Sequence, residues 1–473
     1  MAAISVIKKF EIEGAKRIDA EYYQPMYLNL VVKLHRNSCL QLRKLNVSLD
    51  CSAFYPSVAS FYKQTGIPFL RIDDIQDGFI ILTDTTAYLH EAVLEQNPNT
   101  IARCYPGDIV IAKGGNTIAK VGILTDEHPE YASCRDLIVV RTESLSINRY
   151  YLLAYLLSSF GQSLMIRTAS QTGQPHLTLT SIKELSIPTL SESLQLLFEK
   201  NLVNAWNFFH SAKLVYNHAE QLLLSELGLQ DWQSACTLTY VRRYSEVARM
   251  QRTDAEHFQP KYVELRNQIR NYPNGFCKLT DIAINSDEII EPHNEPDREF
   301  EYIELANINQ TIGSIEDANH IKGKDAPSRA RMLLRSGDVI VSTVEGSLDK
   351  VALVPDEYNG AVGSTGFFVL RPRTVESGYL LALTKSLVVR EQMRCESSGT
   401  ILAAVPAKSL KNIIVPNVPP EKRSEIDTLV QQSHTARREA KTLLEKAKRA
   451  VEIAIEEDEE KAMEFLMAKN DMT

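Results

Sequence analysis

Long apolar runs are missing from this chain. The longest unbroken stretches, such as residues 150–157, fall far short of the ~20 residues that a membrane-spanning helix needs. The seven cysteines are odd in number and include no Cys-x-x-Cys pair. That excludes a disulfide framework or zinc ribbon and predicts reduced thiols in a cytoplasmic protein. The first residues, MAAISVIKKFEIEGAKR, contain no apolar core of a secretory signal. No GxxxxGK[ST], GxGxxG or HExxH motif occurs, so nucleotide, S-adenosylmethionine and metal binding have no visible site. Asn417-Val418-Pro419-Pro420 lacks both the spacing and the aromatic of an Asn-Pro-Pro-Tyr methyltransferase motif. An enzyme survives only as a site assembled from sequence-distant residues.

What is present is ordinary in bulk. Hydrophobic residues make up 44% and charged residues 24% of the 473 positions, as in soluble globular proteins. At ~150 residues per domain this is about three domains' worth of chain. The 52 basic side chains against 60 acidic ones give a net charge of −8. Eight of those acids and only two bases fall in residues 452–473, so the remainder carries just −2. The acidic stretch reads as a solvated helix end or frayed tail. Bulk charge neither supports nor excludes a nucleic-acid partner.

Internal repetition is the strongest feature. Residues 17–27, RIDAEYYQPMY, and 252–262, RTDAEHFQPKY, are identical at seven of eleven positions. PGDIVI at 106–111 aligns with SGDVIV at 336–341, AKV at 119–121 with DKV at 349–351, and YLLA at 151–154 with YLLA at 379–382. SIKELSIP at 181–188 then aligns with SLKNIIVP at 409–416. Two copies of a ~230-residue unit are implied. Residues 28–67 and 263–300 share almost nothing. Either the copies keep a scaffold and read different targets, or surface loops drifted after duplication.

The fold class expected is α+β. Strands are predicted at 68–72, 79–82, 108–113, 119–124 and 136–141, and in the second copy at 301–305, 338–342, 350–354 and 367–371. Helices are predicted at 150–159 and 378–395. After Pro188 and Pro416 comes a long helix in each copy. In the first, Phe198, Leu202, Ala205, Phe209, Ala212, Tyr216, Ala219 and Leu223 follow a +4, +3 pattern, with no Gly or Pro from 191 to 227. The second keeps that register in Ile426, Val430, Ser433, Arg437, Ala440, Leu444, Ala447 and Val451, with two polar interruptions. The shared 3.5-residue period predicts that the helices pack on each other or on a partner's helix. A rod of roughly 55 Å is longer than a core helix needs and reads as a spacer. The expected segments are a globular module at 1–190, a helix at 191–230, a linker and second module at 231–418, a second helix at 419–455 and the acidic tail at 456–473. Two unlike modules on a rigid pair make a ruler, and half-sites on one DNA face lie ~34–36 Å apart. A scaffold gripping two proteins is the competing reading.

The opening motifs RIDAEYYQP and RTDAEHFQP, the GDIVIAK…AKVG and GDVIVST…DKVA strand pairs, and SQTGQPHLTLTSIKELSIP before the long helix together resemble the DNA-specificity subunit of a type I restriction–modification enzyme. The resemblance covers both copies. It implies a target-recognition domain and a helical region in each, with the two helices an antiparallel pair on which two adenine-methyltransferase subunits dock. It also implies double-stranded DNA as ligand, ATP-dependent restriction subunits as further partners, and S-adenosylmethionine in the methyltransferase, with no cofactor in this chain. Phe198, Leu202, Phe209, Tyr216, Leu223, Ile426, Val430, Leu444 and Val451 are the expected docking positions.

Phosphate contacts need Lys, Arg or backbone N–H groups, and base readout needs forked donors and acceptors. Lys113-Gly114-Gly115-Asn116 offers a cation, two backbone amides and an amide side chain, or is simply a tight hairpin. Its counterpart is Thr343-Val344-Glu345-Gly346, where Glu345 is a candidate acceptor from cytosine. Lys120 and Lys350 stand at equivalent positions and are expected phosphate ligands. Thr172, Gln174 and His176, with Thr400 in the second copy, lie in matching polar turns. Arg71 and Glu304, with Asp73, Asp74 and Asn307 nearby, either read bases or line the solvent face of a sheet. Tyr55, Tyr62, Lys63 and His293 are weaker candidates in the variable stretches. Arg17, Asp19 and Gln24 recur as Arg252, Asp254 and Gln259, which marks a structural or subunit-docking role over readout.

Overall fold

The computed structural model describes residues 5–9, 12, 17–53, 58–83, 85–169, 175–232, 239–399 and 403–468. They mix helix and sheet and divide into two compact units: Met1–Phe208 with Arg438–Thr473, and Phe209–Arg437.

In the first unit the central strand is Ile109–Ala112, wholly buried, as a continuous IVIA run requires of a strand covered on both faces. It pairs antiparallel with Leu137–Arg141 on one side, Val110 opposite Val139, and with Val121–Ile123 on the other. Ser48–Asp50, Gly78–Ile80 and Ile75–Gln76 complete a sheet of six. A second sheet has the order Ala87–Leu89, Ile67–Leu70, Tyr131–Ser133, Arg103–Cys104. Its middle pair is parallel. Cys39–Gln41 pairs with Ser186–Pro188 apart from both.

The second unit repeats this order, except that its short hairpin, Ile308–Asn309 with Ser314–Ile315, forms a sheet of its own. Ala283–Asn285, Phe367–Pro372, Val339–Ser342 and Val351–Leu353 form one sheet, and Asn319–Lys322, Glu299–Ile303, Val362–Ser364 and Ala330–Leu333 the other, again with a parallel middle pair. Phe276–Lys278 pairs with Ile414–Pro416. The recurring Gly-Asp before each central strand has a physical reason. Gly107 and Gly337 turn the chain at φ +91° and +84°, where side chains are strained. The buried Asp108 carboxylate then accepts from Arg141 at 3.1 Å and from the Thr142 amide at 3.2 Å. Asp338 accepts from Arg371 at 2.9 and 3.1 Å. An internal carboxylate thus locks the end of the neighbouring strand in both units.

The predicted strands match observed ones to within two residues at either end, whereas the helix expected over 378–395 is two, Ser377–Lys385 and Leu387–Glu396. Ser386 breaks it by turning to extended backbone and accepting the Val388 amide on its hydroxyl. Ser158 does the same between Arg149–Leu157 and Ser159–Thr168.

The first long helix is Glu192–Glu226 and the second Pro420–Glu456, 35 and 37 residues, or ~52 and ~55 Å at 1.5 Å per residue. The polar interruptions in the second are both buried and satisfied. Ser433 donates to the Ala212 carbonyl at 2.7 Å. The Arg437 guanidinium pairs with Glu316 at 2.9 Å and lies 4.4 Å over the Phe209 ring. His434 between them donates to the Ile312 carbonyl at 2.9 Å. In the first unit the equivalent of His434 is Trp206, whose ring packs against Phe79 at 5.4 Å. Each unit's short hairpin therefore meets its long helix at the same register, through an apolar stack in one and a polar network in the other.

The acidic stretch, expected as a solvated or frayed end, forms the helix Glu459–Met467 with Ala462 and Leu466 buried. Glu459 accepts from the Ser191 amide at 3.0 Å, placing a carboxylate at the N-terminus of the first long helix, where its dipole favours negative charge. No helix of the described residues is long and apolar enough to cross a membrane.

Replacing Arg437 with methionine leaves the Glu316 carboxylate without its cation and is expected to cost roughly 2–3 kcal/mol in urea unfolding. Adding Glu316→Gln is expected to restore part of the loss, and strictly additive costs would show that the pair is not coupled.

Candidate nucleic-acid interface

The loop after each central strand is held by main-chain bonds. Lys113 N–H donates to the Asp136 carbonyl at 2.8 Å, and its own carbonyl accepts from Leu177 at 2.7 Å. Thr343 makes the same pair, to the Gly366 carbonyl at 2.9 Å and from Val405 at 2.8 Å. Three segments meet at one residue in each unit without using its side chain, though Thr343 adds a hydroxyl bond to Gly366 at 3.0 Å. Beyond the knot the first loop opens to solvent through Gly115, Asn116 and Thr117. Gly114 is required because a Cβ there would fall 2.4 Å from His176 Nδ1, and these two residues form a bridge. In the second unit Glu345 and Gly346 take that place, with the Glu345 amide donating to Ala403 at 3.0 Å.

A second frame common to both units lies alongside. The Arg71 amide donates to the Asp74 carboxylate at 2.7 Å, and the Glu304 amide to the Asn307 side-chain oxygen at 2.8 Å. Asp74 and Asn307 are thus equivalent turn caps, both buried. Burial raises the Asp74 pKa above the usual carboxylate range. The Asn307 side-chain nitrogen also donates inward, to the Asp317 carbonyl at 2.6 Å. Lys120 and Lys350 are likewise engaged within the chain. Their ammonium groups reach the carbonyls of Ile72 at 3.4 Å and Ile308 at 3.0 Å, and burial lowers both pKa values. Thr343 is anchored as described.

A cleft of ≈630 Å³ in the first unit brings Arg71 together with Tyr62, Thr117, Arg135 and Asp136. Arg71 donates to the Thr85 carbonyl, while its Nε is buried with no hydrogen-bond partner among the described residues. Burial pushes the Cys134 thiol in the cleft wall up to about 11. Arg135 and Asp136 escaped the motif reading. Their signal was the offset of 230, which sets this charged pair against neutral Thr365-Gly366 within an otherwise matching frame. Thr172, Gln174, Thr400 and Tyr55 lie outside the described residues.

The repeated opening motif has a structural reading. Arg17 pairs with Asp19 at 2.6 Å and donates to the Thr168 and Ala169 carbonyls at 3.0 and 3.1 Å. Arg252 pairs with Asp254 at 2.7 Å and donates to the Glu396 and Ser397 carbonyls at 3.3 and 2.6 Å. Each arginine fork closes the C-terminal end of a helix. The nine long-helix positions expected to dock partners, Phe198, Leu202, Phe209, Tyr216, Leu223, Ile426, Val430, Leu444 and Val451, are all buried within the chain. Their apolar faces are consumed by its own cores, as in the Tyr151–Phe198 ring contact at 5.6 Å. Among the described residues one metal-ligating group lies together, His257, Cys395 and Glu396. Glu396 is committed to Arg266 and Asn412 at 3.1 Å each. Burial drives the Cys395 thiol up to about 11, away from the thiolate that a metal needs.

No protein-family model matches the chain, and no curated protein matches it. Solved structures do. A chain from a type I R-M system, solved in work on complex assembly and conformational transition, is 28% identical over 38% of this chain and 46% of that one, with a TM-score of 0.30. The HsdS subunit from Thermoanaerobacter tengcongensis is 30% identical over 39% and 47%, with a TM-score of 0.31. The type I restriction-modification S subunit from M. genitalium is 12% identical over 92% and 96%, with a TM-score of 0.36. Solved structures similar to this chain thus include an HsdS subunit, a type I restriction-modification S subunit and the type IIG restriction endonuclease BpuSI, the last 13% identical with a TM-score of 0.30. This chain spans about half the length of the first two described above.

Arg17→Ala is expected to destabilise the first unit by about 1–3 kcal/mol, with lysine failing to rescue it because the fork serves several acceptors. Arg17 lowers the Asp19 pKa, so this pair stabilises above the ordinary carboxylate range and its contribution fades as pH falls below about 4. Urea unfolding at pH 7 and pH 3 checks both statements; a gap that widens in acid would contradict them.

Proposed function

We propose that this chain is a non-catalytic DNA-specificity subunit of a type I restriction–modification system, acting in the cytoplasm. Its two units are tandem homologous target-recognition domains, at 1–190 and 231–418. The long helices pair antiparallel as a coiled coil, a reading supported by Ala212 meeting Ser433 while Phe209 meets Arg437. The target is double-stranded DNA with a bipartite, asymmetric sequence. Two adenine-methyltransferase subunits, which supply S-adenosylmethionine, are positioned on it, and ATP-dependent restriction subunits join the complex. Leu196, Phe208 and Leu214, exposed on the first long helix, offer apolar surface for such partners in place of the buried seam.

One observation carries this reading. The same main-chain frame occurs in both units, and at equivalent framework positions the side chains change chemistry. Arg71, Asp73, Arg135 and Asp136 in one stand where Glu304, Ala306, Thr365 and Gly366 stand in the other. A scaffold that holds different donors and acceptors in the same place reads different sequences. Phosphate attraction falls to cations whose side chains the frame does not use, Lys113 first among them.

Two measurements test it. Co-expression with the methyltransferase, followed by long-read mapping of methylated adenines, is expected to reveal a two-part motif with a fixed gap that depends on this chain. An unchanged methylome from an assembled complex would favour a protein scaffold instead. On a duplex carrying the mapped site, Lys113→Ala is expected to reduce the slope of log affinity against log salt by about 0.9, one phosphate contact. Lys120→Met, whose ammonium is spent on Ile72, is expected to leave that slope unchanged.

A further inference from the structure

We infer that the first unit's half-site contains a G·C pair read in the cleft between Arg71 and Arg135, with Arg135 and Asp136 as the deciding residues. This rests on the reading of the chain as a DNA-specificity subunit. In the major groove guanine presents O6 and N7 as acceptors and cytosine presents its N4 amino group as donor. An arginine beside an aspartate complements both at once. Arg135 and Asp136 precede the strand Leu137–Arg141 and are 57% and 56% exposed. Their closest approach to one another is 3.9 Å, a weak surface ion pair. The main chain beneath them is fixed, since the Asp136 carbonyl holds the Lys113 amide at 2.8 Å. Base readout requires exposed side chains carried on a rigid element.

The cleft walls support the same ligand. Arg71 Nε is a buried donor without a partner, and buried donors are otherwise paired. Turning the guanidinium toward a base acceptor relieves that. Tyr62 packs against Phe69 with ring centroids 5.9 Å apart and closes the other side. In the second unit the corresponding positions hold neutral Thr365 and Gly366, and Glu304 is paired with Arg329 at 2.7 Å. The Arg-Asp reader belongs to one unit alone at these equivalent positions.

The test is the methylome of cells expressing the full chain with its methyltransferase. Arg135→Ala is expected to relax one G·C position of one half-site, lowering discrimination there roughly ten- to hundredfold, with every other position intact. Unaltered specificity, or relaxation at an A·T pair or in both halves, would overturn the inference. Should Arg135→Ala direct no methylation, Arg135→Lys decides, because it keeps the charge and loses the fork. Relaxation at that same G·C pair is expected, and wild-type specificity would overturn the inference. A wild-type chain that directs no bipartite methylation fails earlier and removes the functional reading itself.

Discussion

Everything that varies in this protein hangs from two main-chain hydrogen bonds at one residue. Lys113 in one unit and Thr343 in the other each donate to the turn before the next strand and accept from the segment leading to the long helix. Backbone groups must be satisfied wherever they are buried, and here that obligation ties three segments without reference to side-chain identity. The Gly-Asp turn and its arginine partner, Asp108 with Arg141 and Asp338 with Arg371, fix the adjoining strand. With the frame secured in this way, the residues above it are free to differ at small cost in stability.

Repetition in the sequence is the mark of that frame. The repeated PGDIVI and SGDVIV segments became central strands because they are buried on both faces and capped by an internal carboxylate. The repeated arginine of the opening motif became a helix closure. Other parts were not legible. Tyr131–Ser133 pairs parallel with Ile67–Leu70 across 60 residues of chain, and a three-residue strand of that kind leaves no local period. Ser386 sits in a run that reads as helical until its hydroxyl is seen to cap the next helix.

The same logic accounts for where several of the expected contact residues sit. Lys120 and Lys350 occupy equivalent positions, and both ammonium groups serve neighbouring carbonyls. Asn307 looked like a base reader and is the counterpart of Asp74, a buried cap. The long-helix seam looked like a docking surface because its apolar period is strong, but within each unit those faces already have partners. Conversely, Arg135 and Asp136 differ between copies in a matching frame, and that difference is what exposes them.

The central claim is that the two units read DNA independently on a common frame. The most direct measurement exchanges residues 17–190 for the corresponding unit of a relative with another target, then maps methylated adenines. The account predicts that one half of the bipartite motif changes to the donor's while the other half stays the same. A motif altered in both halves, or left unchanged, would contradict it.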